Sequence, residues 1–258
     1  MFKLFKALFL MTILIISFSC QAKVLQFGII AHSPDTHILK ELHETEAKVI
    51  QNALHQQLQF HFFYNYTEVV DILKKQPKKY SFLYAKEGLV PQLKTLGNWE
   101  KIAQLLERNP ETNKLSPTYS SYLITAKKSN INALKDLTHK KIVYFNADSA
   151  SNYTAIKQLL REKKITSVQW IKVETMAQAL SMVASGKADA MGVWGYYFAH
   201  SKDKNKFNIF YKIDGLENPI LYGNTKNLNP EEMSKIKTAL QQESTQHQAA
   251  FTYHFEKN

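Results

Sequence analysis

The stretch YFNADSASNYTAIKQLL, Tyr144 to Leu160, changes character twice. It opens as the end of an apolar run, Ile142-Val143-Tyr144-Phe145, whose β-branched and aromatic residues predict a strand. It closes with Tyr153, Ile156, Leu159 and Leu160 at the spacing of one helix face. Between them lie Asn146, Asp148, Ser149, Ser151 and Asn152, all short and hydrogen-bonding. A helix start leaves backbone N–H groups without partners, and such side chains cap them. The same place offers free N–H groups and a partial positive charge to an anion. Taken alone, the stretch fits both readings, and Asp148 reads as a cap beside Ser149.

Outward from this stretch, apolar strands alternate with amphipathic helices. Strands are expected at 24–30, 59–64, 80–84, around Leu105 and Leu106, and at 119–126, 142–145, 168–173, 190–193 and 207–211. Helices are expected from Ile38 to Leu58, from Val69 to Leu73, from Leu89 to Leu96, around 131–137, up to about Arg161, over 176–184 and from Pro230 to about Gln242. The alternation predicts an α/β architecture with mainly parallel sheets, and the length predicts two lobes. Ligands of such sheets sit beyond the carboxyl ends of strands. That places candidate ligand residues at His32 and Ser33, at Tyr84 and Lys86, in the turn Ser149, Ala150, Ser151 and Asn152, and at Trp194. Glu174, just after the strand 168–173, is a further candidate because loops at strand ends carry function.

The N-terminus has the pattern of a secretory signal. Lys3 and Lys6 precede an apolar run from Ala7 to Phe18, and Ser19, Cys20, Gln21 and Ala22 follow. The run is shorter than the roughly 20 residues of a membrane-spanning helix. Cleavage before Lys23 gives a soluble chain, whereas lipid modification of Cys20 gives an anchored one. Ser17 stands where the lipoprotein motif normally has Leu, which favours the soluble form. Cys20 is the single cysteine, so a chain cut before Lys23 has no disulfide, no thiolate metal site and no cysteine nucleophile. The formal net charge is +11. Its lysine doublets are scattered along the sequence, which reads as solvated surface, and export argues against a nucleic-acid partner.

Other chemistries find little support. His32, His37 and His43 share a segment, but the six-residue step from His37 to His43 misses the i, i+4 pairing of one helix face, so no metal and no cofactor is expected. Neither H-E-x-x-H nor G-x-S-x-G occurs, and the chain does not read as an enzyme.

Three segments in order resemble one family. Leu134-Lys135-Asp136-Leu137, Lys140-Lys141-Ile142 and Ser149-Ala150-Ser151 are similar to the second-lobe entry of the phosphate/phosphite/phosphonate substrate-binding proteins of ABC transporters. AQALSMVASGKADAMGVW resembles that family's helix–turn–strand through Ala179, Gly186, Ala188, Asp189 and Ala190. LENPILYGNTKNLNPEEMSKIKTAL resembles its return strand and acidic helix start. The resemblance implies a type II periplasmic-binding-protein fold, a Venus flytrap. Lobe 1 would comprise residues 23–122 and 213–258, lobe 2 residues 123–212, and residues 1–22 would be the signal peptide. It also implies an oxyanion held in the interlobe cleft by the hydroxyls of Ser149 and Ser151 and the backbone of Ala150. The partner would be an ABC permease or, for a sensor, a membrane receptor, and the protein would act as a periplasmic monomer. Asn152 and His139 stand where the family has glycines. Trp194 stands where it often has an acid, which puts a ligand amine in doubt; Trp194 would stack on the ligand or close the cleft.

Fractionation followed by mass measurement should find the exported chain shortened by about 22 residues. An acyl mass retained on Cys20 would instead establish the anchored form.

Overall fold

The computed structural model describes residues 24–30, 37–63, 66–86, 88–109, 111–246 and 251–254, and the sequence-based expectations for the signal segment, Cys20, His32 and Ser33 fall outside them. The first sheet is built on β1 (Leu25–Ile30), which lies parallel between β2 (Leu58–Phe63) and β3 (Phe82–Ala85). β1 is apolar along almost its whole length because helices cover both faces of the sheet. On one face Phe27, Ile29 and Phe82 meet Ile50 of the helix His37–Leu54 and Ile236 and Leu240 of the helix Pro230–Gln246. On the other, Ile30, Phe63 and Leu83 meet Val69 and Leu73 of the helix Tyr66–Lys75 and Leu93 of the helix Val90–Leu96. Beyond β3 the sheet continues through β11 (Ile220–Asn224), β4 (Trp99–Arg108) and β12 (Phe251–His254), with the short β5 (Leu115–Ser116) also on β4.

The second sheet has the order β10 (Phe207–Glu217), β6 (Thr118–Ala126), β9 (Ala190–Trp194), β7 (Lys141–Tyr144), β8 (Gln169–Lys172). Val143 and Met191 pack on Ala179 and Val183 of the helix Met176–Ala184, under which Phe198 of the helix Gly195–His200 also lies. On the opposite face, Leu123 and Ile142 pack on Ile156 and Leu160 of the helix Ala155–Glu162. The chain leaves the first sheet at Pro117 and returns at Asn218-Pro219. The two crossings are tied side by side: Asn218 donates from its backbone N–H to the Pro117 carbonyl at 3.0 Å and from its amide to the Ser116 carbonyl at 3.0 Å.

The two-sheet α/β architecture is the one the alternation predicts. The sheets, however, are mixed where mainly parallel ones were expected. β1, β2 and β3, and likewise β7, β8 and β9, run parallel, whereas β4, β6, β10, β11 and β12 join by antiparallel pairing. Hydrophobic periodicity reports burial, not strand direction, and strands that cross between sheets return alongside a neighbour without a helical crossover. β4 and β10 are also longer than the apolar cores that marked them. The helix expected around 131–137 is a single 3-10 turn, Leu134–Leu137, because the Asp136 carboxylate accepts the N–H groups of Asn132 and Ala133, both at 2.9 Å, in place of a longer helix start.

One fully buried amide organises the far end of the first sheet. Asn224 accepts from the Asn98 amide at 2.9 Å and donates to the carbonyls of Pro77 at 2.7 Å and Tyr80 at 2.8 Å. Replacing it leaves several buried groups unpartnered, each worth about 1–3 kcal/mol. Asn224→Ala should therefore lower unfolding free energy by about 3 kcal/mol or more in urea titration, with an unchanged m-value.

Candidate ligand site

The carboxyl ends of β2, β3 and β4 in one sheet and of β7 and β9 in the other come together, and the residues that meet there define the site. β7 ends at Tyr144, and the chain turns into its helix through a π-type turn, Ala150–Thr154. The N–H groups of Tyr153 and Thr154 both donate to the Ser149 carbonyl, at 2.9 and 3.0 Å. The wide turn has a physical cause in Asn152. Its amide oxygen accepts the N–H of Phe145 at 2.8 Å and of Asn146 at 3.4 Å, while its amide nitrogen donates to the Gly192 carbonyl at 2.8 Å. Ser121 adds a hydroxyl donated to the Ser151 carbonyl at 2.6 Å. Gly192 permits the approach, since a Cβ there would strike Ile156 and the Ser151 carbonyl. π-turns of this kind occur frequently at functional sites.

Ser149 occupies the N-cap position, but its side chain makes no cap hydrogen bond. Among the described residues neither the Ser149 nor the Ser151 hydroxyl has a partner, although both residues are buried. The N–H groups of Ala150, Ser151 and Asn152 precede the first intrahelical donor and have no intrahelical acceptor. Asp148, expected to cap this same turn, instead reaches the other sheet, where its carboxylate accepts the Tyr66 N–H at the start of the helix Tyr66–Lys75, 3.3 Å away. The tertiary approach of that helix start supplies a nearby orphan donor, and the cap is made between lobes rather than locally.

A second contact spans the two sheets at Trp194. Its indole N–H donates to Glu107 of β4 at 2.8 Å, and its ring lies against Tyr196, with centroids 5.3 Å apart. Glu107 is 3% exposed. Burial pushes its carboxyl up to about 7, against the opposing pull of the Trp194 hydrogen bond and the Lys86 charge. Lys86 follows β3, and desolvation brings its ammonium down to about 8, a fall that the Glu107 charge limits. Lys86 and Trp194 are thus brought together through Glu107, an acid the sequence reading did not single out. Its only signal was a carboxylate inside the apolar strand segment Leu105-Leu106-Glu107, where an acid is rarely buried without a partner.

Next to this contact, Glu111 accepts from the Tyr122 hydroxyl at 2.8 Å and from Lys212 at 2.8 Å, and Ser120 donates to Asp214 at 2.5 Å. The Lys212 and Tyr122 hydrogen bonds hold the Glu111 carboxyl below its usual range. This network ties the loop after β4 to the crossing strands β6 and β10.

Three other expected ligand residues are placed differently. Asn152 has both amide atoms engaged by backbone, so its side chain serves the fold. The ring of Tyr84 sits in the first core, stacked on Phe27 at 6.0 Å and against His43 at 4.4 Å, because β3 is a central strand covered by a helix on that face. Glu174 is exposed beyond β8, the edge strand, and its N–H is accepted by Gln178 within the Thr175 capping box.

Two α/β lobes with the carboxyl ends of their strands facing one another define a two-lobed binding protein. The sequence matches the family model of "ABC transporter, phosphonate, periplasmic substrate-binding protein" over residues 27–256, and the chain belongs to that family. No curated protein sequence matches it. Among solved structures it is similar to PhnD1 of Prochlorococcus marinus in complex with methylphosphonate, with TM-score 0.68, 14% identity and 84% of each chain covered. It is also similar to the binding-protein component of an ABC phosphonate transporter from Pseudomonas aeruginosa, with TM-score 0.67, 15% identity, and 91% of this chain and 82% of that one covered. XAC2383 of Xanthomonas citri, bound to chloride, gives TM-score 0.66 and 16% identity over 88% of this chain and 86% of that one. The family is one of transporter binding proteins, not of enzymes, and its members serve a small-molecule ligand and an ABC permease in the periplasm.

The raised Glu107 value predicts a pH signature. The folded protein holds this proton from the ordinary carboxylate range up to about 7, so stability is lost as pH rises through that window. Glu107→Gln removes the titration and keeps an acceptor for the Trp194 indole. Thermal melting between pH 5 and 7.5 should show the unaltered protein losing about 2–4 °C or more relative to the variant as pH rises. Parallel curves would mean that Glu107 titrates normally.

Proposed function

We propose that this binding protein captures a small tetrahedral oxyanion, phosphate- or phosphonate-like, in the cleft between its lobes and presents it to an ABC importer. The observation that carries the reading is the pair of Ser149 and Ser151 hydroxyls, which lack partners among the described residues beside the unpaired N–H groups of Ala150 and Ser151. Hydroxyls and N–H groups converging at a helix start suit a multi-oxygen anion. Lys86, at the facing strand end, adds a half-buried cation. The methylphosphonate carried by PhnD1 and the phosphonate description of the family favour the same ligand class. The expected bounds 122/123 and 212/213 fall inside β6 and β10 of the second sheet, so in this reading the crossings at Pro117 and Asn218-Pro219 divide the lobes, 23–117 with 218–258 and 118–217. The chain acts as a periplasmic monomer after loss of residues 1–22. Trp194 closes the cleft and offers its ring to an organic substituent, its N–H being held by Glu107.

Calorimetric titration with phosphate, phosphite, methylphosphonate, a larger alkylphosphonate and sulfate tests this. Ser149→Ala and Ser151→Ala each remove a charge-assisted hydrogen bond of about 1.5–3 kcal/mol, so affinity should fall about tenfold or more without vanishing. Trp194→Ala should weaken the alkylphosphonate and spare inorganic phosphate, because only the former has a surface to stack. Unchanged affinity in both serine variants would remove the turn from the site.

A further inference from the structure

The lysine doublets, scattered in sequence, are gathered by the topology. At the end of the second sheet away from the cleft, Lys127 and Lys128 follow β6, and Lys140 and Lys141 lead into β7. Lys163 and Lys164 lie in the loop before β8, and Lys187 stands before β9. Lys202, Lys204 and Lys206 precede β10. Strand pairing shows that these segments share one edge: Phe207 is opposite Ala126, Ala190 is opposite both Thr125 and Ile142, and Lys141 is opposite Gln169. Apart from the half-buried Lys140, all these lysines are exposed.

The acids on the same edge among the described residues are fewer, Asp136, Glu162, Asp189 and Asp203, and already engaged, Glu162 by the Gln158 amide at 2.9 Å. Asp136 takes two backbone N–H groups, Asp189 takes the Lys141 N–H and lies 3.9 Å from Lys140, and Asp203 takes Lys206 at 2.7 Å. Among the described residues the other lysines here have no carboxylate partner. Helix dipoles explain a lysine at a helix C-terminus, such as Lys163. They do not explain Lys127, Lys128, Lys140 and Lys141, which flank strands. The edge is a concentrated positive pole, in which lysine greatly predominates over arginine.

We propose that this pole is a docking surface for a bilayer carrying anionic lipid headgroups. Lysine is a point charge without the planar fork that reads one phosphate bidentately, so a lysine-rich pole suits a diffuse layer of phosphates rather than one shaped anion. Of the exposed large hydrophobics among the described residues, Val24, Leu115 and Ile209, only Ile209 is near this edge. Attachment is therefore electrostatic and peripheral. The pole lies at the opposite strand ends from Ser149 and Ser151, so docking leaves the cleft open to solvent.

The test is co-sedimentation of the full-length mature chain with phosphatidylcholine vesicles, with and without about one-third phosphatidylglycerol, at low salt and at about 0.5 M salt. Binding should require the anionic lipid and disappear at high salt. Each lysine close to such a surface multiplies partitioning about fivefold, so the variant Lys127→Gln/Lys128→Gln/Lys163→Gln/Lys164→Gln should lose about a hundredfold or more. The control Lys74→Gln/Lys75→Gln/Lys78→Gln/Lys79→Gln changes net charge equally on the first lobe and should bind as before. Equal loss in both variants would reduce the effect to net charge and overturn the proposal. So would failure of the unaltered protein to bind anionic vesicles, including the case in which it binds soluble polyglutamate instead.

Discussion

Everything at the site hangs on the amide of Asn152. It accepts two N–H groups at the end of β7 and donates to the carbonyl of Gly192 in β9, so one side chain fixes two strands and the turn between strand and helix. Gly192, lacking a Cβ, lets the turn settle directly on β9. Because Asn152 does this work, the first turn opens to π geometry and Ser149 is relieved of capping. The polar richness of the turn is thus divided between Asn152, which builds it, and Ser149 and Ser151, whose hydroxyls have no partner among the described residues.

The interlobe contact follows a different logic. Burying a carboxylate and an ammonium in the same region costs desolvation, which their mutual attraction offsets only in part. Glu107 and Lys86 show that balance in opposite directions, the acid held toward its neutral form and the amine toward its own. The Trp194 indole gives Glu107 one directed hydrogen bond across the cleft, and Asp148 gives the helix start at Tyr66 another. These two bonds join the two sheets.

Much of this was legible from residue types. Strands β1, β3, β7 and β9 were marked by continuous apolar runs, and the helix Met176–Ala184 by its periodicity. The Ser149–Ser151 turn was marked by short polar residues between two periods. Glu107 was not legible, because its meaning depends on Trp194, 87 positions away in sequence. The placement of the Tyr84 ring against Phe27 and His43 was not legible either, because a residue at a strand end faces either the strand-end loops or a covering helix, and local sequence does not choose between them.

The sequence by itself determined which segments become strands and helices, since periodicity and turn chemistry act within a few residues. It also carried the three segments whose order resembles the family. Tertiary structure alone decided strand direction in the outer halves of both sheets, the pairing of Glu107 with Trp194 and of Asp148 with Tyr66, and the gathering of separate lysine doublets onto one edge. Each of these joins residues distant in the chain, and such contacts are fixed by how layers pack against one another, not by any local preference.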